Sequence, residues 1–65
     1  MITVNGETMD WSEGMTVRDI LEIKRYVFPL LSVWLDGVAI PRDSFDTTTV
    51  PDRANVQVIH MISGG

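Results

Sequence analysis

The last two residues of the chain offer its best material for chemistry. The sequence ends in "HMISGG", so Gly64 and Gly65 follow an apolar run that is typical of a strand. With glycine at about 7% of residues, two would stand together at a given terminus in roughly one chain in 200. Glycines lack a Cβ and allow close backbone approach, which suits insertion of a free carboxylate into a narrow active site on another protein. An ordinary frayed end is the alternative interpretation.

A terminal carboxylate needs activation before it can react. It is a poor electrophile because attack on it must expel oxide, whereas an acyl-adenylate made with ATP carries a good leaving group. The activated carbonyl can then accept sulfur, which gives a thiocarboxylate, or an amine, which gives an amide. The residues therefore favour Gly65 as a site of acyl activation and leave both acceptors open.

The rest of the chain holds little for conventional catalysis. His60 is its only histidine and it has no cysteine, so metal ligation and thiol chemistry lack side chains to perform them. Gly6, Gly14 and Gly37 are isolated turn glycines and form no phosphate-binding loop. We expect a protein that is not an enzyme, with no catalytic residue, no metal and no bound cofactor.

Composition limits the class of protein further. The chain has 65 residues, enough for one small domain, and a net charge of −4. Its five basic residues are scattered, so it lacks the basic footprint that nucleic-acid binding requires. It shows no signal peptide and no apolar run of roughly 20 residues that could cross a membrane. We expect a soluble, cytoplasmic protein that binds neither nucleic acid nor membrane.

The start of the chain, "MITVNGETMDW", predicts a β-hairpin. Asn5 and Gly6 tolerate the positive φ angles of a type I′ turn, which joins two strands through a two-residue loop. That loop would place Val4 opposite Glu7. The side chains on the core face of this hairpin would be Ile2, Val4, Met9 and Trp11.

A helix is predicted after the hairpin. Thr16 and Asp19 have the spacing of a capping box at its start. Pro29 disfavours helix in the residue before it, so the helix should end by about Tyr26. Lys24 lies on the apolar side of the helix and should run its aliphatic stem along the edge of the core. The apolar stripe itself consists of Val17, Ile20 and Leu21.

Three more strands are predicted in the second half of the chain. The segment "LLSVWLDGVAI" gives two strands joined at Asp36-Gly37, and "NVQVIHMI" gives the last strand. Alternation places Trp34, Ile59 and Met61 on the sheet face opposite the helix, where they would form an apolar surface for a partner protein. The residues predicted to be buried are Ile2, Val4, Val17, Ile20, Leu21, Val33, Leu35, Val56 and Val58.

The order of these elements predicts the fold. A hairpin, a helix, short strands and a final strand are typical of the α+β class with β-grasp architecture, in which a mixed sheet of four to five strands packs on one main helix. The final strand then lies beside the first, in the middle of the sheet. Segment 41–54 should be mostly loop, with Phe45 anchoring it to the core. We assign residues 1–62 to the domain and residues 63–65 to a flexible diglycine tail.

Sequence motifs along the whole chain resemble the ThiS family, the ubiquitin-like sulfur carriers of thiamine biosynthesis. They are "VNGE" at the first turn, "EGMTVRDIL" at the start of the helix, "VWLDGVAIPRDSF" over the middle strands and "VIHMISGG" at the end. The more specific combination is Ile40-Pro41-Arg42 with Phe45 and the terminal diglycine. Three segments depart from the family: Lys24 replaces a leucine, Asp36-Gly37 replaces an Asn-Gly turn, and Asp52-Arg53-Ala54 replaces an Asp-Gly-Asp turn. Arg53 disfavours the positive φ that glycine would accept there.

The resemblance implies a carrier. An E1-like adenylating enzyme of the ThiF type would activate Gly65 with ATP, which the partner uses and the carrier does not hold. A sulfurtransferase would supply the sulfur that makes the thiocarboxylate, and a thiazole synthase of the ThiG type would consume it. Gly64 and Gly65 would carry this role, with Ser63 as their approach.

Three alternatives share the fold. A small subunit of molybdopterin synthase has the same tail chemistry, but that family is typically longer and approaches its diglycine through a proline, which is absent here. A ubiquitin-like modifier would form an amide instead of passing on sulfur. A plain β-grasp interaction module would make no use of its tail.

Overall fold

One mixed sheet, one α-helix and one short 3₁₀ helix make up the regular structure of the described part of the chain. The computed structural model describes residues 1–26 and 31–60. The α-helix packs its buried side chains against one face of the five-stranded sheet. The elements are β1 (Ile2–Val4), β2 (Glu7–Met9), α1 (Val17–Ile23), β3 (Leu31–Leu35), β4 (Val38–Ile40), a 3₁₀ helix (Arg42–Ser44) and β5 (Asn55–His60).

The last strand lies in the centre of the sheet. The strand order is β2-β1-β5-β3-β4, so β5 has a neighbour on both sides. It runs parallel to β1, with Val56 opposite Val4, and antiparallel to β3, with Val58 opposite Val33. This is the β-grasp architecture, and the predicted place of the final strand beside the first is confirmed.

The two hairpins of the sheet use the same kind of turn. Asn5 and Gly6 have φ angles of 52° and 85°, and Asp36 and Gly37 have φ angles of 49° and 83°. Two successive positive φ angles are the signature of a type I′ turn, whose twist matches that of the strands it joins. The register predicted for the first hairpin is confirmed, with Ile2 opposite Met9 and Val4 opposite Glu7.

The predicted helix start is confirmed in detail. The Thr16 hydroxyl accepts a hydrogen bond from the Asp19 backbone N–H at 3.2 Å, and the Asp19 carboxylate accepts one from the Thr16 N–H at 2.9 Å. Two N–H groups that the helix itself leaves without partners are thereby satisfied. Lys24, the residue that caps the other end, places its Nζ 3.4 Å from Glu7 Oε1 on the hairpin.

The helix ends at Ile23, and a left-handed residue closes it. Arg25 has a φ of 58°. The N–H of Tyr26 donates to the Leu21 carbonyl at 2.8 Å, and the N–H of Arg25 donates to the Glu22 carbonyl at 3.1 Å. These two bonds form a Schellman motif, in which arginine occupies the position that usually holds glycine.

The core lies between α1, the sheet and the segment that precedes β5. Most of the predicted core residues are buried, but the prediction for Leu35 is wrong because this side chain is only half-buried. Leu35 pairs with Val38 at the end of β3. Because Val38 is 62% exposed, the core does not cover this end of the strand. The buried residues are Ile2, Val4, Met15, Val17, Ile20, Leu21, Val33, Phe45, Val50, Ala54, Val56 and Val58.

Segment 41–54 contributes more to the core than its loop-like sequence indicates. Phe45 is buried, as predicted, but so are Val50 and Ala54, which the pattern did not identify. The indole Nε1 of Trp11 donates to the Val50 carbonyl at 2.7 Å, and the Val50 N–H donates to the Met15 carbonyl at 2.8 Å. These bonds hold the segment against the hairpin and the start of the helix.

The turn before β5 forms in spite of its arginine. Arg53 adopts a φ of 69°, and the Ala54 N–H donates to the Pro51 carbonyl at 3.3 Å to close the turn. The Arg53 N–H donates to the Met1 carbonyl at 2.9 Å, which ties the turn to the first strand. The turn therefore keeps a backbone conformation that suits glycine. The folded protein tolerates the conformational free-energy cost that the sequence predicts for an arginine there.

Candidate functional site

The strand β5 is the element that carries the chain toward its predicted reactive end. Val56 and Val58 point into the core, while the intervening Gln57 and the following Ile59 point to the opposite face. Burial falls toward the end of the strand, since Ile59 and His60 are both exposed. The predicted site residues Met61, Ser63, Gly64 and Gly65 follow directly and lie outside the described residues.

Both hairpin turns bind the backbone of β5 through side chains. The Asn5 Oδ1 accepts from the Val58 N–H at 2.8 Å, and the Asn5 Nδ2 donates to the Val58 carbonyl at 3.2 Å. Asp36 does the equivalent at the other end of the strand, where its Oδ1 accepts from the Asn55 N–H at 2.8 Å. Neither side chain was predicted from the sequence to belong to the site. The sequence feature that could have identified them is an Asn or Asp as the first of the two loop residues of a type I′ turn.

A third contact joins the Asn5 amide to the end of the helix. The Asn5 Nδ2 lies 3.3 Å from the Tyr26 hydroxyl, and Tyr26 is the last residue of the Schellman motif. The Asn5 side chain thus bonds both the last strand and the chain segment that follows α1.

The sheet face opposite the helix carries two of the three residues predicted for partner binding. Trp34 is 36% exposed and Ile59 is 46% exposed. Ser32 lies directly opposite Ile59 on the neighbouring strand, which makes Trp34 a diagonal neighbour of Ile59 within reach of a large aromatic ring. Both predictions of exposure on this face are confirmed, while Met61 lies outside the described residues.

This open face is neutral although the chain is acidic. The register of the five strands places eight described side chains on it, and none carries a charge. A surface without fixed charges can be desolvated at lower cost than one with them. The eight residues are Thr3, Thr8, Ser32, Trp34, Ala39, Asn55, Gln57 and Ile59.

Within 1–26 and 31–60, no group of three or more His, Asp or Glu side chains could hold a metal ion. His60 is exposed on β5, opposite Leu31 of β3. A hydrogen bond from the N-terminal ammonium, at 2.7 Å, holds the pKa of Asp52 below its ordinary value of 3.8. Asp52 precedes the start of β5, whereas the predicted tail follows its end.

The helices of the described residues are also too short and too polar to cross a membrane.

Comparisons with known proteins agree with this fold. The model of the ThiS family matches residues 2–65 of the chain. The crystal structure of the thiamine biosynthesis protein ThiS from Geobacter metallireducens is similar, with 33% sequence identity and a TM-score of 0.81, over 98% of this chain and 97% of that one. The NMR solution structure of a thiamine biosynthesis protein from the same organism shows 34% identity and a TM-score of 0.75, over 98% and 86% of the two chains. No curated protein matches the chain.

Proposed function

The chain belongs to the ThiS family, and we propose that it is the sulfur carrier of a thiamine biosynthesis pathway, with the carboxylate of Gly65 as its reactive group. The observation that carries the proposal is the diglycine Gly64-Gly65, which follows the central strand of a β-grasp sheet. We assign residues 63–65 the role of the tail and locate the protein in the cytoplasm.

The proposed chemistry has two steps at the same terminal carboxyl group. In the first, the Gly65 carboxylate attacks the α-phosphorus of ATP, a new acyl–phosphate bond forms and pyrophosphate leaves. In the second, the terminal sulfur of a sulfurtransferase persulfide attacks the carbonyl and AMP leaves, which gives an acyl disulfide. A thiol then attacks the sulfurtransferase sulfur of that disulfide, forms a disulfide with it and releases the thiocarboxylate. Thiazole synthase, an enzyme of the ThiG type, then takes the sulfur.

The carrier is the substrate of these steps and performs none of them. An E1-like enzyme of the ThiF type binds the ATP, and the carrier itself holds no cofactor. The scarcity of catalytic side chains in the sequence supports this division, since a single histidine and no cysteine leave little for acid–base or nucleophilic catalysis.

We also propose that the open face around Trp34 and Ile59 is the surface that partner proteins bind, together with Met61. Exposed apolar side chains in one neighbourhood are typical of an interaction site, and aromatic residues are enriched at the centre of such sites. Because the face has no charged residue among those described, binding there should depend on apolar contact and on hydrogen bonds from groups such as Gln57.

The tail hypothesis is tested by changing the position of the carboxylate. Deleting Gly65 retracts it by one residue, about 3.3–3.6 Å, which is far outside the tolerance for in-line attack on ATP. Adding one residue after Gly65 hides it in a peptide bond, and Gly64→Val introduces a Cβ where the backbone must approach closely. All three variants should abolish ATP–pyrophosphate exchange by the purified activating enzyme and formation of the thiocarboxylate, detected by intact mass.

Folding is the control for these variants. The described core contains no residue after Val58, so all three proteins should unfold at the same urea concentration as the unmodified chain. If the Gly65-deleted protein supports ATP–pyrophosphate exchange at the same rate as the unmodified chain, the proposed function is refuted. Supplying a thiazole precursor or a lysine-containing protein as the sole acceptor then distinguishes sulfur transfer from amide formation.

A further inference from the structure

The first strand is too short to pair with the whole of the last strand. The main-chain ladder between them begins with the Thr3 N–H donating to the Ala54 carbonyl at 3.0 Å and continues with the Asn5 N–H donating to the Val56 carbonyl at 2.9 Å. In a parallel pair, the next two bonds would join the Val58 N–H to the carbonyl of residue 5 and the Val58 carbonyl to the N–H of residue 7. The chain turns at Asn5 and cannot make either of them.

The side-chain amide of Asn5 makes both missing bonds. A carboxamide carries the same acceptor and donor as a peptide group. Its Oδ1 accepts from the Val58 N–H at 2.8 Å, and its Nδ2 donates to the Val58 carbonyl at 3.2 Å. The ladder therefore extends one step along β5 beyond the point at which β1 has ended.

The first residue of the second hairpin turn does the same at the opposite end of β5. The Asp36 N–H donates to the Asn55 carbonyl at 2.8 Å, as expected for the next pair of an antiparallel ladder. The return bond goes from the Asn55 N–H to the Asp36 carboxylate, also at 2.8 Å, in place of the Asp36 carbonyl that a regular ladder would use. The two side chains thus share one role, and only Asn5 acts on the end of β5 that leads to Gly65.

We infer that Asn5 is a positioning residue for the sulfur-carrying tail. Its amide fixes the backbone of β5 at Val58, so that the chain leaves the sheet from one defined position for engagement by the activating enzyme. The inference rests on the proposed function of Gly65. Without the amide, the N–H and carbonyl of Val58 lose their partners on the β1 side and this end of β5 opens more often. An enzyme that requires the closed form then binds only a fraction of the carrier, which raises the apparent dissociation constant by the reciprocal of that fraction.

The test compares Asn5→Gly with a matched variant, Asp36→Gly. Both positions have positive φ, which glycine accepts, so each type I′ turn is kept and the side chain that binds β5 is lost, in Asn5→Gly together with its contact to the Tyr26 hydroxyl. Asn5→Asp is the second variant, because it retains the acceptor for the Val58 N–H and removes the donor. Steady-state ATP–pyrophosphate exchange with a purified activating enzyme of the ThiF type gives KM and kcat for each carrier. Circular dichroism sets a temperature at which all four proteins are folded.

We expect Asn5→Gly to raise KM about tenfold with kcat unchanged, which corresponds to about 1.4 kcal/mol of lost binding. Asn5→Asp should raise KM by a smaller factor, and Asp36→Gly should leave it at the wild-type value. Amide hydrogen exchange should be faster at Val58 in Asn5→Gly and faster at Asn55 in Asp36→Gly.

Equal KM values in Asn5→Gly and Asp36→Gly would overturn the inference, because a general loss of stability affects both variants alike. Unchanged exchange of the Val58 amide in Asn5→Gly would also overturn it. If the unmodified carrier supports no pyrophosphate exchange at all, the proposed function fails and the inference falls with it. If the unmodified carrier supports pyrophosphate exchange and Asn5→Gly has the same KM, only the inference about Asn5 is overturned and the proposed function stands.

Discussion

Replacing Arg53 with glycine should stabilise the protein. Arg53 occupies the turn before β5 with a φ of 69°, in the left-handed region where a Cβ crowds the following carbonyl oxygen. Its main-chain bond to the Met1 carbonyl, at 2.9 Å, involves only the backbone N–H and is available to glycine as well. The substitution therefore removes a steric cost and keeps the hydrogen bond that ties the turn to β1.

The expected gain follows from two opposing terms. The left-handed conformation costs an ordinary residue about 1–2 kcal/mol. Glycine is more flexible in the unfolded chain, which takes back about 0.5–1 kcal/mol. The net increase in the free energy of unfolding is therefore about 0.5–1 kcal/mol. In a domain of this size it corresponds to a rise in Tm of about 2–8 °C.

Urea denaturation and thermal melting measure the effect. Arg53→Ala is the matched control, because it removes the guanidinium group and keeps the Cβ that causes the strain. Arg53→Gly should be more stable than both the unmodified protein and Arg53→Ala. If Arg53→Gly is no more stable than Arg53→Ala, the strain argument is wrong and the arginine side chain accounts for the difference.

Three further predictions concern the open face, the core and pH. Trp34→Ala should weaken binding to the activating enzyme or the thiazole synthase in titration calorimetry. Thr8→Ala, on the far edge of the same face, should leave that affinity unchanged. If the Trp34→Ala and Thr8→Ala proteins bind equally well, the open face is not the partner-binding surface. Leu21→Ala should lower the free energy of unfolding by about 2–5 kcal/mol, and a nearly neutral result would mean that this buried position does not anchor the helix. Asp52→Asn removes the carboxylate that pairs with the N-terminal ammonium. Because folding lowers the pKa of Asp52 below 3.8, this pair stabilises the native state above about pH 3.8 and ceases to do so as the pH falls through the folded value. The urea midpoints of Asp52→Asn and the unmodified protein should therefore differ at neutral pH and converge in acid, and a constant difference would contradict the assignment.

Features set by near neighbours in sequence could be predicted. The two-residue loop at Asn5-Gly6 fixes the register of its hairpin, and Thr16 with Asp19 fixes the start of the helix, so both were correct to the residue. Alternation in the last strand placed Ile59 on the open face for the same reason. Each of these features depends on residues that lie within a few positions of one another.

Features set by contacts between residues far apart in sequence could not be predicted. Val50 is buried because segment 41–54 folds back on the hairpin, where its carbonyl meets the Trp11 indole 39 positions away in sequence. Leu35 has a core-like pattern but lies at the end of β3, where the core no longer covers the sheet. The bond from Asn5 to Val58 spans 53 positions. This bond depends on where β1 ends relative to β5, and the sequence around Asn5 does not indicate that position.

The fold and the proposed chemistry depend on different parts of the chain. Val56 and Val58 are buried and hold β5 between its two neighbours, and no described residue after Val58 belongs to the core. If Gly65 is the reactive group, as we propose, substitutions at Gly64 and Gly65 should change the reaction with a partner enzyme and leave the free energy of unfolding of this core unchanged. Two glycines within β5 would weaken that strand, so the proposed function uses them where the described core does not need them.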